Sequence, residues 1–547
     1  MDRKDASNRA GRPSDLLSHF EGLNASTLSY VLKVRYPSKN LLIVANDRTR
    51  AEEIAANCRG WFGEGAVALL VHDEHTPYEG VAPDGDLVGA RYRLRRQFLE
   101  GMGPQVVVAT GQLLLQKWMS TEGFVRLVKI LKLGTNHKVQ ELAAHLVACG
   151  YQRLSQVDNS GAFSICGSVV DVFIPGDDYP IRIDFFGDEI ERIFSFHPDT
   201  YRPIQHLEKL EIFPIRDVIF DAHSQACARD ALKIWRDTSA IPSRILGQIE
   251  QDIRAGHYFF GVESLWPLFY EKSASLLETM ASNYALVLDQ ASATAEVMDA
   301  FLENLREHAE TAQSSLHPAL PVEKFYISSE DFWSAIQGRL LAKNHLLWFG
   351  EMEPVEEKLR DFKVLSHEME LRRKDSSRGD ILGPVVDWIR DHSTQSKESI
   401  LLACERESQA KRIQALLIGH GIDLPILSKP PNLLRSDKHG IYPARGIWLA
   451  PLTEGFFDEV RGVAIFTEKE ILGGLPAGRR RKTRTPRKSN YRETLKNIRN
   501  LSPGDGVIHV EYGIGRYLGM ERMRVGGTEE DFVRLEYAGG DKLMVPM

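Results

Sequence analysis

Three short runs, apolar but for a terminal Thr110 or Ser399, constrain this chain more than any other feature. Leu41-Leu-Ile-Val-Ala45 is followed by a helical pattern from Thr49 to Cys58, and Val106-Val-Val-Ala-Thr110 by Gln112-Leu-Leu-Leu-Gln116. Ser399-Ile-Leu-Leu-Ala403 precedes the amphipathic stretch Glu407–Ile418, which stops at Gly419-His-Gly421. Strands apolar on both sides, each leading into a helix, belong in parallel sheets covered on both faces. The expected class is therefore multidomain α/β.

Between the second and third of these units the rhythm changes. Phe163–Phe173 and Ile181–Phe186 read as strands, with turns at Asp177-Asp178 and Gly187-Asp188, and Ile190–Phe196 continues them. Alternation with period two and close-set turns predicts an antiparallel sheet. Helices over Ala226–Trp235 and Ala295–Glu307 flank the apolar strand Tyr284–Leu288, and Val463–Phe466 ends the last α/β unit. With 547 residues the chain is too long for one core. The boundaries expected are 1–115 (first α/β part), 116–220 (inserted α+β domain), 221–345 (second α/β part), 346–472 (a further α/β domain), 473–500 (linker) and 501–547 (a small barrel-like β module).

Composition excludes several classes. Hydrophobic content of 43% and charged content of 26% fit a globular protein, and a net charge of −7 argues against a wholesale nucleic-acid coat. The five cysteines are scattered with no Cys-x-x-Cys pair, which suits a reducing cytoplasm and suggests neither a disulfide framework nor a zinc site. No apolar h-region follows the polar N-terminus, and no stretch approaches the roughly 20 apolar residues of a membrane span. A cytoplasmic protein without a membrane partner is expected.

The linker holds Arg479, Arg480, Arg481, Lys482, Arg484, Arg487 and Lys488. So dense a run of one sign stays solvated; it reads equally as a flexible tether or as a weak, nonspecific contact for DNA or RNA phosphates. A phosphate loop needs backbone N–H groups and a lysine. The candidate near the first strand, Gly22-Leu-Asn-Ala-Ser-Thr-Leu-Ser29, has Thr27 in place of the second glycine and Leu28 in place of the lysine. Gly22, Ser26 and Thr27 thus read as a vestigial nucleotide loop. Gly513-Ile-Gly-Arg-Tyr-Leu-Gly519 has turn glycines rather than a dinucleotide loop, because its third glycine falls one residue late. Asp184, Asp188, Glu189 and Glu191 read as a solvated strand and turn, not a metal site. No catalytic or metal-binding constellation is visible.

Several phrases, in order, resemble the transcription-repair coupling factor family. They are Pro77-Tyr-Glu-Gly-Val-Ala-Pro83 with Leu87-Val-Gly-Ala-Arg91, Pro180–Ile190 with Phe196-His-Pro-Asp-Thr200, Leu265-Trp-Pro-Leu-Phe-Tyr-Glu271, Phe466–Ile471 and Gly506–Tyr517. The resemblance implies a degenerate, helicase-type UvrB-like module that has lost ATP binding, with an inserted domain, and a C-terminal Tudor/CarD-like module that contacts the RNA polymerase β subunit. It also implies that Arg182 and Phe186, two residues of one strand face, bind UvrA. The family has an arginine before the glycine of the preceding strand where Cys166 stands here, so one charged contact is lost. In the second module, Met523 and Val525 alternate with Arg522 and Arg524; the alternation leaves Met523 either a core residue or part of an edge strand, and the resemblance implies the edge, which would pair with a partner sheet.

In the family two motor domains follow, with ATP and magnesium; they are absent from this sequence, which is expected to need no cofactor. Met547 directly follows the strand-like Leu543–Pro546, and the chain reads as the front portion of a longer protein. Recruitment of UvrA to stalled polymerase is the function this implies. The alternatives are a DNA-stimulated ATPase in its own right, which would need the lysine that Leu28 replaces, and a degenerate paralogue that binds only polymerase.

Overall fold

The computed structural model describes residues 17–80, 82–238, 241–280, 282–314, 318–346, 358–362, 365, 367, 382–393, 398–427, 444–472, 503–509, 513–525, 528–537 and 540–546. The first sheet is six-stranded and parallel throughout, in the order Ser18–Glu21, Leu340–His345, Tyr284–Leu288, Asn40–Ala45, Val106–Thr110, Val67–Leu70. The chain leaves this sheet after Thr110 and re-enters at Tyr284, whose strand pairs directly with Asn40–Ala45. Successive side chains of a strand point to opposite faces. Here Leu42, Val44, Val107 and Ala109 join one core, while Leu41, Ile43, Val106 and Val108 join another. That is why the runs read as apolar.

The excursion carries a second six-stranded sheet, ordered Pro203–His206, Glu189–Phe196, Ile181–Phe186, Val169–Val172, Ala162–Cys166, Gln152–Arg153. Its strands are antiparallel except for the short pairing of Gln152–Arg153 with Ala162–Cys166. The single strand expected over Phe163–Phe173 is in fact a hairpin, because Gly167 at φ 62° turns the chain between Cys166 and Val169. Ile181, Ile183 and Phe185 point into the first core cluster, so this sheet packs on the body through one face.

A third sheet, Leu359–Asp361, Phe456–Asp458, Val463–Thr467, Ser399–Cys404, Arg445–Leu449, Ile426–Leu427, is parallel at its centre and antiparallel at one margin. The sequence suggests a separate domain from residue 346 onward. The structure instead gives this unit and the first sheet a common core. Leu401, Ala403, Trp448 and Ile465 join the cluster of Ile43 and Val108. Trp61 meets Trp448 with ring centroids 4.6 Å apart, and the Tyr30 hydroxyl donates to Asp458 at 2.8 Å. Helices Ala25–Arg35 and Arg48–Phe62 have apolar side chains on both sides, and that second side needs a partner.

The last sheet is an antiparallel meander, Gly506–His509, Gly513–Val525, Thr528–Glu536, Lys542–Pro546. Its described strands form an open sheet; the expected barrel-like closure is not among them. The four strands bury only a small cluster, Tyr517, Val533, Leu535 and Val545, with Phe260 of the main body packed against it. Among the described residues no helix is long and apolar enough to cross a membrane.

Candidate protein-interaction surfaces

With Ile181, Ile183 and Phe185 turned inward, Arg182, Asp184 and Phe186 line the outer face of the second sheet. The two residues singled out by resemblance do share this face, but their states differ. Arg182 is held by Asp171 on the adjacent strand through two bonds, Nε to Oδ1 at 2.7 Å and Nη2 to Oδ2 at 2.8 Å. The Asp171 hydrogen bonds raise the Arg182 pKa despite its partial burial. Its guanidinium also lies 5.0 Å from the ring centre of Phe196 and 5.6 Å from that of Tyr201, which stack on each other. Arg182 is therefore an internal brace of the face as well as a surface group.

Phe186 is 80% exposed, the most exposed large apolar side chain among the described residues. It stands at the strand end before Gly187, φ 64°, where the chain must turn. A register shift beside Asp184 and Phe185 lets Arg192 pair with Asp184, at 2.7 Å, while Glu189 takes the place opposite Phe186. Asp188, Glu189 and Glu191 are exposed, as the reading of a solvated turn requires, whereas Asp184 departs from it: it is buried and ion-paired with Arg192. Cys166 is exposed on the same face: the register runs Cys166, Val169, Asp184, Arg192 across four strands.

In the last sheet, Gly513–Val525 pairs from Arg516 to Val525 with Thr528–Glu536 on one side. On the other side, Gly506–His509 covers only Gly513–Arg516, and Gly504 and Asp505 add two bonds to Tyr517. Leu518–Val525 is left as an edge among the described residues, with Met523 half-buried. Gly513 and Gly519, at φ 77° and 115°, lie inside this strand, so the glycine-rich phrase is no dinucleotide loop. Arg522 is committed: its Nη1 donates to Asp252 of helix Ser243–Ala255 at 2.8 Å. Arg524 and Val525 pair through their backbone with Glu529 and Thr528; their side chains lie outside the described residues. The basic run 479–488 also lies outside them.

At the start of helix Ala25–Arg35, Gly22 takes φ 67° and Asn24 caps the helix by accepting from the Thr27 backbone N–H at 2.9 Å. The Asn24 amide donates to Glu454 Oε2 at 2.8 Å, and Ser26 Oγ accepts from the Glu454 backbone N–H at 3.0 Å while donating to Asn57. A carboxylate from the third-sheet unit thus sits by the helix start that would face a phosphate. Leu28 is fully buried. Sequence reading missed Glu454, Asp252, Phe260 and Tyr201, since each reaches its place through a contact between distant segments.

Two family models match the chain: a UvrB interaction domain over residues 130–217 and a CarD-like/TRCF RID domain over residues 501–547. The first spans Arg182 and Phe186, the second Arg522 and Met523. The chain is similar along its length to transcription-repair-coupling factors. It is 27% identical to that of Myxococcus xanthus over 96% of this chain, 26% to that of Escherichia coli strain K12 over 97%, and 23% to that of Bacillus subtilis strain 168 over 98%. In each case the match covers 44% of the relative, so the chain corresponds to the N-terminal portion of a transcription-repair-coupling factor.

Proposed function

We propose that this chain is the recruiting portion of a transcription-repair coupling factor, with one face for UvrA and one edge for RNA polymerase. The observation that carries the reading is the occurrence of both matched modules in one chain, each presenting an unpaired feature. On the first, exposed Phe186 stands beside the Arg182 brace. Burying a phenylalanine side chain contributes about 1.5–3 kcal/mol, enough to anchor an interface. On the second, Leu518–Val525 offers backbone donors and acceptors to a strand of the polymerase β subunit, and Met523 offers an apolar contact.

The ATP-driven motor of the family belongs, in this reading, to the part of the relatives that the chain does not span. Glu454 at the helix start and buried Leu28 support a chain that binds no nucleotide. The 479–488 run adds at most weak, salt-sensitive DNA contact.

The test is capture of UvrA on immobilised chain. Phe186→Ala should weaken capture by roughly 1–3 kcal/mol, with circular dichroism unchanged. Cys166→Arg should strengthen it, because position 166 lies on the same face as Asp184 and Arg182. Unchanged capture by Phe186→Ala would place the contact elsewhere. Arg182→Ala is the less clean variant, since it leaves the buried Asp171 carboxylate without its cation.

A further inference from the structure

We propose that His223, Cys227 and Glu271 form a binding site for a divalent transition metal of the zinc class. His223 and Cys227 lie one turn apart in helix Ala222–Thr238, on one face. Glu271 comes from the segment that follows the 3-10 helix Val262–Phe269. Their ligand atoms all lie within 4.8 Å of one another, and no other group of three such residues occurs among the described residues. The absence of a Cys-x-x-Cys pair in the sequence gives no hint of this set, because folding brings its third member from 44 positions beyond Cys227.

Distance and chemistry both fit. Zinc bonds to nitrogen at about 2.0 Å and to thiolate at about 2.3 Å, so a tetrahedral site separates the two atoms by about 3.5 Å. His223 Nε2 and Cys227 Sγ are 3.7 Å apart without a metal. A thiolate and a carboxylate together neutralise a 2+ ion. The thiolate and imidazole select zinc or cobalt over magnesium and calcium, which prefer all-oxygen sites. Arg126, the nearby cation, is already occupied by Asp221 and by Ser224 Oγ at 3.0 Å.

Both supports are anchored. Ala228 and Leu232 are buried beneath the helix, and Tyr270, next to Glu271, donates its hydroxyl to the Asp217 carbonyl at 2.7 Å. His223 and Glu271 are exposed, so three protein ligands leave a fourth position to water. The metal would staple the helix to the Tyr270–Glu271 segment and exchange readily with solution.

Cobalt(II) is the probe, added to the reduced full chain. Only Cys166 and Cys227 are not buried, which makes the thiol assignment a two-way choice. The expected result is a thiolate-to-cobalt band in the near ultraviolet, saturating at one ion per chain and displaced by zinc. Cys227→Ser should abolish it and Cys166→Ser should leave it. His223→Ala and Glu271→Gln should each weaken binding by roughly tenfold or more, at least the loss expected for an outer-sphere partner. Zinc should also raise the melting midpoint of the wild type and not of Cys227→Ser. No band at saturating cobalt, a band that survives Cys227→Ser, or one that disappears with Cys166→Ser overturns the proposal.

Discussion

Arg522 in the C-terminal sheet and Asp252 in helix Ser243–Ala255 form an ion pair at 2.8 Å, although 270 positions separate them in the chain. The Asp252 side chain is buried and that of Arg522 about one-third exposed. With Phe260 packed against the small sheet's buried cluster, this pair fastens the sheet to the body. A partly exposed pair of this kind contributes about 0.5–1 kcal/mol. A double-mutant cycle of Arg522→Ala and Asp252→Asn should return a coupling of that size, read from chemical denaturation. Because Asp252 occupies Arg522, Asp252→Asn should also tighten polymerase binding if Arg522 contacts polymerase; a decrease would show that docking itself presents the edge.

Met523→Arg should abolish co-purification with RNA polymerase and leave UvrA capture unchanged. The residue is half-buried in the strand whose outer edge, among the described residues, is uncovered beyond Tyr517. Burying an unpaired guanidinium in a partner contact costs roughly several kcal/mol, while the free strand can keep it in water. Loss of the β signal of the module would instead identify Met523 as core.

The buried Glu263 carboxyl predicts a pH effect. Burial pushes it up to about 7, against the opposing hydrogen bond from the Tyr258 hydroxyl. A carboxyl raised on folding is protonated in the folded state and ionised in the unfolded state between about pH 4.5 and 7. Its stabilising contribution is full below that window and is lost as pH rises through it, by a few kcal/mol at most, on the order of 1.4 kcal/mol per pKa unit. Burial lowers His145 to about 4, which acts oppositely as pH falls below the usual histidine range. The difference between Glu263→Gln and wild type isolates the glutamate: the variant should gain stability relative to wild type from pH 5 to pH 8 in thermal melts. A difference that does not vary with pH would place the carboxyl in water.

No ATP turnover above a no-enzyme control is expected from the purified chain, with or without duplex DNA. Leu28 is buried where a phosphate-loop lysine would stand, and Glu454 meets Asn24 at the helix start. Turnover that persists through every purification step would contradict this.

The central strands were legible because a strand covered on both faces has nowhere for a polar side chain. Leu41–Ala45, Val106–Thr110, Tyr284–Leu288 and Ser399–Ala403 all lie inside strands paired parallel on both sides. Strand Ser18–Glu21 and strand Leu340–His345 were not, since His19, Asn344 and His345 interrupt the apolar pattern; Asn344 is buried but satisfied by Leu23 and Asp289. The common core of the first and third sheets escaped notice for another reason. Periodicity shows that a helix has an apolar side, not which distant sheet it meets, so Trp61 gave no sign of Trp448. At the candidate UvrA face, strand spacing puts Arg182 and Phe186 on one side, but Asp171 on the neighbouring strand and Tyr201 in the turn after Glu189–Phe196 reach Arg182 only through the folded pairing.

The bridging claim is tested most directly by retention of UvrA on immobilised RNA polymerase. With wild-type chain added, UvrA should be held in proportion to the chain bound. Phe186→Ala should leave the chain on polymerase while UvrA is lost, and Met523→Arg should lose both together. Retention of UvrA without the chain, or its failure to be held while wild-type chain remains on polymerase, would contradict the account.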